Sequence, residues 1–182
     1  IESNGQEWSL ESGLREAAPD CLAGLPPACL LSAEGLETTL YVGPRPDCTI
    51  EPVIIRRAGP NCDRQALTAG FVVSDLSFAR SRFVISGSVG DAGQIVLEPE
   101  IDSETPEILS FPSPVLSAAL ADLDSDTLFE VLALTKNGVV PRLGSERDTP
   151  QAELQLNGLE ITQQSRLRTI DSNCNELDDL AI

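Results

Sequence analysis

Leu128-Phe129-Glu130-Val131-Leu132-Ala133-Leu134-Thr135, then Lys136-Asn137-Gly138, then Val139-Val140-Pro141-Arg142-Leu143 is the stretch that decides the fold class. Two apolar runs rich in branched side chains flank an Asn-Gly dipeptide, which favours the positive φ angles of a tight hairpin turn. Working outward, Arg82–Val89 and Gln94–Glu98 flank the turn Gly90-Asp91-Ala92-Gly93 and predict a second hairpin. Further strands are expected over Leu36–Val42, Pro52–Arg57, 67–76, Pro114–Leu120, Glu153–Leu156 and Leu159–Ile161, the last two about Asn157-Gly158. Leu10, Leu14 and Ala17 share one helical face in residues 7–18, which Gly13 interrupts and Pro19 ends. The expected fold is mainly β, an antiparallel sheet with a short N-terminal helix, arranged as an α+β or a β-sandwich-like domain. A single domain, 1–182, is expected: short helix 1–20, Cys-rich loop and strand region 21–66, antiparallel β region 67–170, acidic tail 171–182 with at most one helical turn. No internal repeat is expected.

Charge and composition narrow the function. The chain of 182 residues carries 29 acidic against 12 basic side chains, a net charge of -17, and its only lysine is Lys136. Nucleic-acid binders gain affinity by neutralising phosphates with clustered cations, so no nucleic-acid partner is expected. With no His and no Met, His-based catalysis and His- or Met-ligated metal or haem are closed. Hydrophobic residues at 41% and charged residues at 23% are the proportions of a folded domain. With 4% aromatics, its core must come from Leu, Ile, Val and Ala. No run approaches the roughly 20 apolar residues that cross a bilayer. The polar start Ile1-Glu2-Ser3-Asn4-Gly5 reads as that of a processed chain, so membrane contact is expected only through a segment absent from it.

Cys21, Cys29, Cys48 and Cys62 precede a long gap to Cys174. None forms C-x-x-C, which argues against a redox pair or a zinc ribbon, and Pro, Asp or Asn beside most of them indicates loops. Disulfides in an oxidising compartment are the reading, with three connectivities open to the first four cysteines and Cys174 left over.

One motif carries chemistry: Asp122-Leu123-Asp124-Ser125-Asp126-Thr127-Leu128-Phe129-Glu130. Alternate side chains of a curled loop converge on one point, and Ca²⁺ takes six to eight oxygens at about 2.3–2.6 Å. Four carboxylates in an already acidic chain repel one another unless a cation lies between them. Asp122, Asp124, Asp126 and Glu130 are therefore the expected Ca²⁺ ligands, with a backbone carbonyl near Leu128. Thr127 in place of Gly and Ala133 in place of Glu exclude an EF-hand.

The stretch from Ser113-Pro114-Val115-Leu116 through this loop to Glu130–Thr135 and Asn137-Gly138-Val139-Val140 resembles the FG-GAP (VCBS, integrin-like) calcium repeat. In that family a strand runs into a D-x-D-x-D-G-x-x-D/E loop, then a strand, a turn and another strand; Ser125 and Thr127 stand where glycines are usual. The resemblance covers about residues 113–143. It implies Ca²⁺ and a β-propeller blade, and since one blade cannot close a propeller it implies either a fragment or another β scaffold. The same element is similar to the calcium loop of type IV pilins and pseudopilins, which implies a surface filament and sister subunits as partners.

Enzymatic readings lose their parts. Serine and cysteine nucleophiles lack a His base, Gly87-Ser88-Val89-Gly90 is not a nucleophile elbow, and no phosphate-cradling glycine motif occurs. A carboxylate-pair glycosidase would want aromatic platforms, and Trp8, Tyr41 and five Phe are scattered. Arg56-Arg57 and Arg80/Arg82 read as charged strand faces. The expectation is a non-catalytic, disulfide-bonded, calcium-binding protein, extracellular, cell-surface or periplasmic. Its role is structural or adhesive: a filament, pilus or pseudopilus subunit, or else a free-standing secreted binding module or propeller fragment, with protein partners.

Overall fold

The computed structural model describes residues 21–46, 48–99, 105–123, 128–143, 150–170 and 178–182. Its strands follow one another as antiparallel meanders. In the first sheet β1 (Leu31–Glu34), β2 (Thr38–Gly43), β3 (Val53–Ala58) and β4 (Asn61–Ala66) lie side by side in chain order. The second holds β5 (Phe71–Ala79), β6 (Arg82–Val89), β7 (Ala92–Pro99) and β8 (Glu107–Phe111), again in order. The third holds β9 (Ser117–Ala121), β10 (Glu130–Leu134), β11 (Gly138–Arg142) and β12 (Leu154–Gln155). β13 (Arg168–Ile170) pairs with β14 (Asp179–Ala181) in a fourth, two-stranded sheet.

This corrects the expected fold class. Among the described residues the protein is all-β, in four separate antiparallel sheets, and its one helical piece is the 3₁₀ turn Pro27–Cys29. Among the described residues the α+β pilin-like architecture is not seen; the helix expected over 7–18 falls outside the described residues. The expected absence of a repeat is corrected too, since a four-strand unit recurs. In the tail, Asp179–Ala181 is a strand, and residues 171–177 lie outside the described residues. β1, β4, β8 and β13 are strands that the sequence reading passed over, and no strand forms at Leu159–Ile161.

Packing explains the stack. Along β9, Ala118 and Leu120 pack toward the second sheet, against Val84, Ile95, Leu97, Leu109 and Phe111. Ala119 and Ala121 belong to the opposite cluster, with Leu132, Leu134, Val139 and Leu167. β6 and β7 alternate in the same way: Phe83, Ile85 and Val96 pack with Leu40, Val42 and Ile54 of the first sheet. Successive side chains of a strand point to opposite faces, so a sheet sandwiched between two others needs apolar residues at every position. Each buried Leu or Ile contributes about 2 kcal/mol. The remaining face of the first sheet is covered by the segment before it, where Cys21, Leu22 and Leu30 pack with Tyr41, Val53 and Ile55. Disulfides Cys21–Cys62 and Cys29–Cys48, each with Cα atoms 5.6 Å apart, tie that segment to β4 and to the β2–β3 connection.

A buried arginine also spans each of two inter-sheet joints. Arg56 of β3 pairs with Glu98 and donates to the Pro99 carbonyl at 2.7 Å. Arg142 of β11 donates to the Ser110 carbonyl and lies 4.6 Å over the Phe111 ring. First strands of successive sheets touch: β1 meets β5, β5 meets β9, and β9 meets β13. These first strands form a shared hub along which the sheets follow one another in chain order.

Candidate functional site

β9 is buried along its whole length and gives way at Asp122 to the segment that β10 ends at Glu130. Ala121 pairs with Glu130, so the antiparallel ladder clamps the two ends of the acidic segment together. Glu130 is 3% exposed, and its Oε2 accepts the Leu123 N–H at 2.9 Å, folding the carboxylate back over the segment it closes. Of the four expected ligands, the structure thus brings Asp122 and Glu130 to one place. Asp124 and Asp126 lie outside the described residues. Among the described residues no group of three or more His, Cys, Asp or Glu is gathered as a metal site. The expected donor set, all carboxylate with no nitrogen or sulfur, fits a hard cation such as Ca²⁺.

Two partners of this site escaped the sequence reading. Asp178, just before β14, accepts the Asp122 N–H at 2.9 Å and the Arg80 guanidinium at 2.6 Å on the same oxygen. Arg80 sits in the β5–β6 turn and lies 5.0 Å over the Phe129 ring. Three successive sheets therefore meet at one carboxylate. Arg80 and Ser81 both have positive φ, 51° and 60°, a conformation that bulky residues avoid. The contacts of the Arg80 side chain give this residue a reason to be there.

The signal that was missed is a spacing. Asp122, Asp124, Asp126 and Glu130 recur 49 residues on as Asp171, Asn173, Asn175 and Asp179, all oxygen donors. Both segments stand between the first and second strands of their sheets, β9 and β10 in one case, β13 and β14 in the other. Residues 171–177 lie outside the described residues, as does Cys174.

Further polar chemistry gathers at the hub. Asp75 of β5, 8% exposed, accepts the Ser117 hydroxyl at 2.5 Å, Arg168 at 3.0 Å and Arg166 at 3.3 Å. These link the starts of β9 and β13 to β5. Asp75 has opposite charges on two sides and a hydroxyl on a third, so it reads as a strut between sheets rather than as a general base. Among the described residues no helix is long and apolar enough to cross a membrane. Comparison of the chain with protein-family models, curated proteins and solved structures finds no match.

Proposed function

We propose that the chain is a non-catalytic extracellular structural or adhesion module made of propeller-type blades, with Ca²⁺ held by Asp122, Asp124, Asp126 and Glu130. The observation that carries this reading is the position of the acidic segment. It joins the first and second strands of a four-stranded antiparallel sheet and recurs, in register, in the next sheet. The FG-GAP resemblance requires that placement, and the free-standing binding module or propeller fragment accounts for it. The pilus reading loses the α+β architecture that it required. Two disulfides are compatible with an oxidising setting outside the cytoplasm, where free Ca²⁺ is abundant. Protein partners fit a scaffold whose sheets leave loops at their rims.

Thermal unfolding of non-reduced protein in excess Ca²⁺ and in EDTA, beside Asp124→Ala, tests the reading. A cation at a hundredfold excess over its Kd stabilises by about 2.7 kcal/mol, raising the midpoint by several degrees. A Ca²⁺-dependent rise that Asp124→Ala abolishes is expected. An identical midpoint in both buffers would return residues 122–130 to a solvated turn.

A further inference from the structure

The hub has two ends of different charge. β5, β9 and β13 run in the same direction: Asp75, midway along β5, meets Ser117 and Arg168 at the starts of β9 and β13, while Arg80, Asp122 and Asp178 meet beyond the strands' ends. Five residues of β9 at about 3.3 Å each separate the two ends by roughly 17 Å. The far end holds Asp122, Glu130 and Asp178. At the near end lies a cavity of about 400 Å³, lined by Leu31, Val73, Val115, Ser88, Arg45 and Arg166 among others.

From this cavity we infer a second binding site, independent of the acidic loop, that takes a small organic carboxylate. Two of the chain's 12 basic residues line one cavity in a protein of charge -17, at the end of the hub away from the acidic loop. Arg166 is fixed in place: it donates to the carbonyls of Gln163 and Ser165 at 2.9 Å each and pairs with Asp75 at 3.3 Å. It therefore shapes the wall and supplies a partly compensated positive field. Arg45 is exposed and makes a long 3.4 Å bond to the Ala28 carbonyl through one nitrogen. Its planar fork has further N–H groups, in the arrangement that matches a carboxylate with two parallel hydrogen bonds. Leu31, Val73 and Val115 offer the apolar wall for a hydrocarbon body, and Ser88 and Gln163 offer polar groups at its rim. A monoanion suits the site better than phosphate, because the surrounding charge of -17 opposes a second negative charge.

Benzoate is the probe, with benzamide as its neutral counterpart of the same shape. Both are titrated to about 20 mM into the ¹⁵N-labelled intact chain, followed by amide shifts, since a ligand of this size binds at millimolar strength. Saturable benzoate shifts at 31, 72–74, 88 and 163–166 are expected, with benzamide at least about tenfold weaker, a difference of one guanidinium–carboxylate contact. Arg45→Gln should remove the preference while leaving the spectrum of the free protein folded. Equal binding of benzamide, no saturation, or a preference that survives Arg45→Gln would overturn the site. None of these readouts depends on Ca²⁺, and the titration in EDTA gives the same result.

Discussion

In the first two sheets the first and second strands are joined by tight turns, and in the last two by long acidic segments. Gly35-Leu36-Glu37 and Arg80-Ser81 connect β1 to β2 and β5 to β6, whereas residues 122–129 and 171–178 occupy the same place in the later sheets. The early half also carries both disulfides, which hold a covering segment over the free face of the first sheet. The same architectural unit is thus braced in two ways, by covalent cross-links at its beginning and, in our reading, by cations toward its end. Both devices do what sheet packing alone cannot do, which is to fix the irregular chain between strands.

The comparison breaks most easily at the cysteines. Closing loops with separations of 41 and 19 residues constrains the unfolded chain by about 4 and about 3 kcal/mol. Cys21→Ser with Cys62→Ser should therefore lower stability by about 4 kcal/mol in denaturant unfolding. Hydrogen exchange should show the loss first at Tyr41 and Ile55, and an unchanged midpoint would refute the bracing role. Next in size is the cation: Ca²⁺ should slow exchange in 117–134 and 168–181 by up to about a hundredfold, the equivalent of 2.7 kcal/mol, and leave 31–66 untouched. Uniform protection across the chain would deny the division into halves.

Asp178→Ala removes the carboxylate shared by Arg80 and the Asp122 N–H, and should cost about 1–2 kcal/mol while leaving the first sheet's exchange unaltered. Ser81→Gly should stabilise by about 0.5–1 kcal/mol, because the positive φ of 60° costs glycine nothing. A destabilised Ser81→Gly would mean that the Ser81 side chain, not the backbone, matters in that turn. The smallest effect lies at high pH. Burial raises the Tyr41 pKa, outweighing nearby Arg57, which lowers it. A phenol whose folded pKa is raised contributes stability that is present below its unfolded value and lost as pH rises through the folded one. Alkaline destabilisation is thus expected above about pH 10, and Tyr41→Phe should flatten it.

Much of this was readable from neighbouring residues. The hairpins β6–β7 and β10–β11 follow from apolar runs around Gly90-Asp91 and Lys136-Asn137. Yet the second turn is built differently from its sequence signal. Neither Asn137 nor Gly138 has positive φ; Thr135 accepts the Asn137 and Gly138 N–H groups on its hydroxyl at 3.1 and 3.3 Å. Gly138 is there because a Cβ would lie 2.2 Å from the Leu154 carbonyl of the neighbouring strand. β4 was unreadable for the opposite reason: Asn61–Ala66 is exposed throughout, so it has no apolar pattern, and it forms because β3 offers a free edge.

The sequence by itself determined the β class, the cysteine-rich beginning and the place of the acidic segment 122–130. Each of these is written in residues within a few positions of one another, where propensity, turn chemistry and charge act. The tertiary structure decided that the sheets stack rather than merge, which cysteines pair, and that Asp178 and Arg80 meet at Asp122. It also decided that Arg45 and Arg166 line one cavity. Those outcomes join residues tens to more than a hundred positions apart, brought together by burial of both faces of each sheet, and no local pattern along the chain encodes them.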